Sequence, residues 1–239
     1  MLRSQLSRLS LCAAAIGALA IAAFAAAPSR AAEEAVIIPA PTLNAKEADG
    51  IQTAVIAGGC FWGVQGVYQH TAGVVSAVSG YSGGTKAHAN YEQVSRGSTD
   101  HAEAVEIKYD PKKISYGKIL QIFFSVVHDP TQLNRQGPDV GTQYRSAIFY
   151  GNDEQKKVAE AYVAQLNAAK VFKKPIVTKL DKLDAFYAAE PYHQDYLTLH
   201  PNQPYIVFND IPKIHALKKI FAENYIEKPT LVGNAKATN

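Results

Sequence analysis

The chain has 239 residues, enough for one domain or two small ones, and its 47% apolar and 19% charged content is an ordinary globular mixture. The net charge of +3 is matched by Arg3, Arg8 and Arg30 in a first segment without Asp or Glu; the remainder holds 21 basic and 21 acidic residues. With no basic excess to pair with phosphates, a nucleic-acid footprint is excluded.

Residues 1–31 read as a cleavable export signal. Arg3 and Arg8 flank a polar start, Leu9–Ala27 is a small-apolar run, and Ser29-Arg30-Ala31 places small residues where a signal peptidase cuts. The expected location is periplasmic or secreted, without stable membrane insertion after cleavage. The alternative is an anchor retained through 9–27, a run of near-spanning length. Leu11 is too bulky for a lipid-modified Cys12. Residues 32–50 are Ala/Pro-rich and aperiodic and read as a linker, 51–227 as the folded domain, and 228–239 as a polar tail.

Within the folded part, Thr53–Ala57 is a short apolar strand ending at Gly58-Gly59. Phe61–His70 is a helix with Phe61, Val64 and Tyr68 on one face. Val74–Tyr81 is a strand, followed by a polar loop from Thr85 to Asp100. Ala102–Tyr109 alternates as a strand, and Tyr116–Val127 is a helix. A long loop covers His128–Gly141, then Tyr144–Tyr150 is a strand and Asn152–Lys170 a helix with a capping-box spacing at Asn152 and Gln155. Ile176–Leu180 is one further strand candidate. The order β-α-β-β-α-β predicts an α/β fold, a two-layer α+β sandwich of the ferredoxin-like plait type with a C-terminal extension. Such a fold assigns no function by itself.

The chemistry gathers at "GGCFWG" (58–63). With the signal removed, Cys60 is the one thiol left, either an inert packed cysteine or a reactive one. Its place between a strand and a helix start favours the thiolate through unpaired N–H groups and the helix dipole, which predicts a lowered pKa. Phe61 and Trp62 are roughly 100° apart on a helix, so both cannot face one core direction and at least one borders the site. In "HAEAVEIKYD", Glu103 shares a strand face with Val105, Ile107 and Tyr109. A carboxyl on a buried face has a raised pKa and can donate a proton at neutral pH; a solvated carboxylate at a frayed strand start is the alternative.

Together with "GCFWG", the stretches "GYSGG" (80–84), "HAEAV" (101–105), "HDPTQLNRQGPDVGTQYRSAI" (128–148) and "PYHQDYL" (191–197) resemble peptide methionine sulfoxide reductase, type A. The resemblance implies Cys60 as nucleophile and Phe61 and Trp62 as the aromatics seating the substrate methyl. It implies Glu103, Tyr81 and Tyr144 as proton-donating and oxygen-binding groups, and Asp139 as a substrate-backbone contact. It further implies a preference for S-sulfoxides, no metal or organic cofactor, and a monomer. Pro138 stands where the family usually has Asn. The tail carries no resolving cysteine, so an external thiol, from a thioredoxin-like protein or a small thiol, is the expected reductant and partner.

Other readings stay open on residues alone. A cysteine hydrolase needs an imidazole base, and His101, His128 and His193 are available. A metal site on His193 and His200 is short of ligands. A non-catalytic sulfoxide-binding module is the third.

Overall fold

The computed structural model describes residues 34–46 and 49–235; the segment read as an export signal lies outside them. Strand β1 (Gln52–Gly58) leads into helix α1 (Phe61–Gln69) and strand β2 (Val74–Ser82). A helical turn α2 (Tyr91–Val94) interrupts the segment expected as loop, and β3 (Ala102–Tyr109) follows. Helix α3 (Tyr116–Ile122) is capped by the Ser115 hydroxyl and continues as a π-helical turn over Phe123–Val127. A two-stranded hairpin, β4 (Arg135–Gln136) and β5 (Asp139–Val140), lies inside the expected long loop. Strand β6 (Ser146–Tyr150) precedes α4 (Asp153–Ala168), whose cap is the Asn152 side chain receiving Gln155 N–H at 2.9 Å. Then come β7 (Lys179–Lys182), β8 (Phe186–Ala188), α5 (Tyr196–Leu199), α6 (Ile211–Ile220) and the turn α7 (Val232–Ala235).

The α/β class holds. One sheet runs in the order β7-β6-β1-β3-β2-β8; only the β6–β7 pair is parallel. The four inner strands are those expected from the pattern, although β6 begins two residues later than expected because Thr142–Tyr144 forms a 3₁₀ turn. The sheet is covered on both faces. Ile56, Val105, Ile107 and Ile148 face the main core with Tyr68, Ile119, Phe123 and Val158 from the helices, while Val55, Ala57, Ala102, Ala104, Ala147 and Phe149 form a second apolar layer. Because β3 runs antiparallel to β1, Glu103 at its start lies at the sheet end where β1 delivers Cys60.

The linker expectation fails for the part that is described. Residues 34–46 have no regular structure, yet Ile38 is buried and the segment is strapped across the helices. Val36 N–H donates to Ser125 O, Tyr162 Oη–H to Pro39 O at 2.7 Å, and Gln165 Nε2–H to Ala40 O at 2.8 Å. An Ala/Pro segment has no period to show, but its carbonyls still accept hydrogen bonds. The first residues of the expected tail are docked too: Thr230 N–H donates to Gln69 O and Val232 N–H to Asp195 Oδ1.

The "HQDY" run (193–196) holds the C-terminal segment on the sheet. Gln194 Oε1 accepts from Gln65 Nε2 at 2.8 Å and Ser79 N at 3.0 Å, while its amide donates to Ser79 O and Ala189 O. Asp195, in the left-handed region at φ 59°, accepts from Gln69 Nε2 at 2.6 Å and donates its own N–H to Gln65 Oε1. Replacing Gln194 with Ala strands several part-buried partners, and we expect a loss of about 2–4 kcal/mol in urea unfolding with little change in m.

Candidate active site

Three elements build the site around Cys60. After β1 the chain turns at Gly59, φ +90°, where a Cβ would lie 2.7 Å from Gln136 Cβ. Only glycine allows both the backbone sign and the close approach of the β4–β5 hairpin. Cys60 is then the N-cap residue of α1 and is half-buried. The hairpin contributes Gln136, Pro138 and Asp139, and the C-terminal segment contributes Tyr205, Asn209 and Lys213, to one narrow depression lined by Cys60. A roomier polar cavity of about 660 Å³, between Thr99, Arg145 and Lys179, holds none of the predicted groups.

Pro138 does not disturb this arrangement. Gln136 pairs with Asp139, leaving Gly137-Pro138 as a two-residue turn with Gly137 at φ +53°. A glycine with positive φ at the first central position, followed by a residue fixed near −65°, has the φ signs of a type II′ hairpin. Gln136 anchors the hairpin by accepting Asp129 N–H at 3.1 Å and donating to Asp129 O at 2.8 Å.

Glu103 is 2% exposed, and its Oε2 accepts the Phe61 N–H at 3.1 Å. Burial and the carboxyl groups of Asp139 and Asp210 push its pKa up to about 8, against the pull of that hydrogen bond. The buried-face reading therefore describes Glu103, and it carries a proton at neutral pH. The expectation for Cys60 is reversed. The Trp62 N–H does favour the thiolate, as the helix-start argument required, but burial and the charges of Glu103, Asp210 and Asp139 push the thiol well above its ordinary range. One helix-end hydrogen bond does not outweigh desolvation and three like charges.

Besides Gln136, Tyr205, Asn209 and Lys213, two ionisable groups close to Cys60 and Glu103 escaped the sequence reading: Asp210 and Tyr91. Asp210 is fully buried, with its Oδ1 3.4 Å from Lys213 Nζ, and its pKa is raised to about 6. It packs on the first turn of α1, where a Cβ at Gly63 would lie 2.1 Å from Oδ1. Tyr91, on α2, is electrostatically coupled to Glu103, Cys60 and Asp139. Asp210 lies in a segment without strong periodicity, and Tyr91 is one tyrosine among 13, so neither carried a signal.

The predicted tyrosines divide. Tyr144 is coupled to Glu103, Asp139 and Cys60, and among the described residues its hydroxyl has no hydrogen-bond partner. Tyr81 is fully buried, its hydroxyl donates to Glu190 Oε2 at 2.9 Å, and it too feels the charge of Glu103. Asp139 accepts the Tyr205 hydroxyl. Of the two aromatics after Cys60, Phe61 is a core side chain at 1% exposure, and Trp62 is the half-buried one, stacked on Tyr196 with ring centroids 3.8 Å apart.

The histidines offered as hydrolytic bases are engaged elsewhere. His128 bonds Phe123 O at 3.2 Å and Ser146 Oγ at 2.7 Å, and burial lowers its pKa to about 3. His101 Nε2 bonds Thr85 O, and His193 Nδ1 receives the Trp62 indole N–H. His200 lies against the Tyr196 ring, and among the described residues no group of three or more metal-ligating side chains is assembled.

Two measurements check these electrostatics. Alkylation of Cys60 as a function of pH should show a midpoint above that of a free thiol, lowered in Glu103→Gln because a neutral amide removes a repelling charge; a wild-type midpoint below the free value would refute the assignment. Glu103 also has a folded pKa raised above its unfolded one, so its contribution to stability is full below about pH 4.5 and is lost as pH rises through about 8. Glu103→Gln should therefore be the more stable protein at pH 8, by of order a few kcal/mol, with the difference closing toward pH 4.

A family model described as peptide methionine sulfoxide reductase matches residues 52–225. The chain is 58% identical over 193 residues to peptide methionine sulfoxide reductase MsrA 2 of Mesorhizobium japonicum, covering 81% of this chain and 99% of the relative. It is 49% identical to MsrA 2 of Synechocystis, over 78% of this chain and 89% of that one. Among solved structures it resembles reduced Mxr1 of Saccharomyces cerevisiae (TM-score 0.58, 32% identity, 67% of this chain and 94% of that one) and methionine sulfoxide reductase A of Corynebacterium diphtheriae (0.56, 31%, 72% and 88%). On the family match and on these identities, the chain belongs to the peptide methionine sulfoxide reductase family.

Proposed function

We infer that this chain reduces methionine sulfoxide in peptides and proteins to methionine, with Cys60 as the nucleophile. The observation that supports this reading best is the meeting of a thiol, a protonated carboxyl at Glu103 and the free hydroxyl of Tyr144 at one end of the sheet. A sulfoxide sulfur is a poor electrophile until its oxygen is protonated or strongly hydrogen-bonded. Glu103 supplies that proton, assisted by Tyr144, with Tyr91 within electrostatic reach of the same groups. Cys60 sulfur attacks the sulfoxide sulfur and gives up its proton to the Glu103 carboxylate. Attack forms a bond between the two sulfurs. The protonated oxygen then passes from the substrate sulfur to Cys60 sulfur as hydroxide, and the new sulfur–sulfur bond breaks with its electron pair going to the substrate sulfur. Methionine leaves, and Cys60 is left as sulfenic acid. Thiol and sulfoxide become sulfenic acid and thioether with no net gain or loss of protons. Trp62 offers an aromatic wall to the substrate methyl, with Phe61 packed behind the thiol.

Cys60 is the one cysteine among the described residues, so an external thiol completes the cycle in this reading. It attacks the sulfenic sulfur, water leaves, and a second thiol reduces the mixed disulfide. A thioredoxin-like protein or a small dithiol fits this step. The preference for the S-sulfoxide, the monomeric state and the export of the chain through residues 1–31 are parts of the same proposal. Among the described residues no helix is long and apolar enough to cross a membrane.

Single-turnover experiments test the proposal. Without reductant, one equivalent of methionine should form per protein and dimedone should label Cys60; adding a dithiol should restore continuous turnover. Cys60→Ser should abolish both steps, and sulfoxide reduction persisting in that variant would refute the assigned nucleophile. Glu103→Gln should lower kcat/KM by about 10²–10⁴, the range for losing a general acid.

A further inference from the structure

Trp62 is the only tryptophan of the chain, and three contacts hold its indole. Tyr196 stacks on it at 3.8 Å and 9°. Tyr205 meets it edge-on at 6.0 Å and 84°. The indole Nε1–H donates to Nδ1 of His193 at 3.2 Å. His193 is 2% exposed and boxed by aromatic rings: Phe61 at 5.0 Å, Tyr91 at 4.5 Å and Tyr192 at 4.3 Å.

A ring nitrogen that accepts a hydrogen bond carries no proton, so the neutral imidazole has its proton on Nε2. That Nε2 is buried and, among the described residues, has no hydrogen-bond partner. Buried donors are rarely left unpaired. Here the ring leaves one unpaired while it presents a lone pair to Trp62, so the bond to the indole is the polar contact that orients it.

We propose that His193 is a positioning residue that fixes the plane of the Trp62 indole, the wall against which the substrate methyl group is seated; the role of that wall rests on the sulfoxide-reductase reading above. The Tyr196 stack alone leaves the indole free to slide or rotate in its own plane. A hydrogen bond directed along Nε1–H removes that freedom. The bond requires a neutral imidazole, because protonation places a hydrogen on Nδ1. Of the titratable groups around the ring, Glu190 on the same segment carries the negative charge that draws a proton to it, and its oxygens are held by Tyr81 Oη–H and Tyr91 N–H. Tyr91 and Tyr192 add un-ionised phenols, and Phe61 and Trp62 on α1 add no charge. Burial outweighs Glu190 and keeps the ring neutral below the ordinary histidine range. The indole is therefore locked at neutral pH and released in acid.

The test uses the intact protein and its single tryptophan. His193→Phe keeps the ring volume and removes the acceptor. It should raise KM for a methionine sulfoxide peptide about five- to tenfold, the effect of one ordinary hydrogen bond, with kcat changed by less than about twofold. In a Trp62→Phe background the same change should have no further effect on KM. Independently of turnover, acidification of the wild type should change Trp62 emission reversibly below the ordinary histidine range, and His193→Phe should lack that transition. An unchanged KM in His193→Phe, an equal KM rise in the Trp62→Phe background, or an emission titration identical in both proteins overturns the proposal. Should His193→Phe not fold, the wild-type titration decides, and a flat profile overturns it. A protein inactive on every sulfoxide would refute the functional reading instead and leave the emission titration to judge the contact.

Discussion

Negative charge is costly at the end of β1, and the rest of the site is arranged around that cost. Cys60 shares its surroundings with Glu103, Asp139 and Asp210, and each of them opposes a thiolate. At an effective dielectric near 20, two like charges about 4 Å apart repel by about 4 kcal/mol. A standing thiolate is thus disfavoured first by burial and then by the neighbouring carboxylates, Glu103 adding its charge only once it has lost its proton. The resting pair is a thiol beside a carboxylic acid, and the reaction they serve conserves protons overall. The acid lends its proton to the substrate oxygen as the thiol releases one, so negative charge need not accumulate on sulfur before the substrate is bound.

This arrangement depends on segments far apart in sequence. Cys60 comes from the β1–α1 turn, Glu103 from β3, Asp139 from a two-residue strand, and Asp210 from the C-terminal segment. The sheet register places the first two, and the β4–β5 hairpin closes on the Gly59 turn through Gln136. Gln194 and Asp195 then tie the C-terminal segment to α1 and β2. Loosening that tie would move Asp210 and Lys213 relative to Cys60 without touching any group that meets substrate.

Much of this was legible in the residues. The three long helices show helical periods, the inner strands show as short apolar or β-rich runs, and the alternation of β3 favoured the buried face for Glu103. What periodicity could not show was short or aperiodic. β8 is three residues long, the β4–β5 hairpin has two residues per strand, and the Val36–Asn44 strap bonds through its carbonyls. The Cys60 environment was misjudged for a related reason. The helix start is local and visible in the sequence, whereas the opposing carboxyl groups at 103, 139 and 210 arrive by tertiary folding. The hydrogen bond from the Tyr81 hydroxyl to Glu190, 109 positions away, is another contact made only by tertiary folding.

The three carboxyl groups are not equivalent, and one cation separates them. Lys213 is buried, lies 3.4 Å from Asp210, and pulls down the pKa values of both Asp210 and Asp139. Glu103 receives no comparable cationic help; its one opposing influence is the Phe61 N–H, and the two aspartates push it up. Asp210 accordingly titrates near 6 and Glu103 near 8. At neutral pH the proton stays on the carboxyl at the head of β3, and the Lys213 side of the site carries the charge. Lys213 thus helps decide which of three neighbouring acids is the one that can donate, although the donor itself lies on another element of the fold.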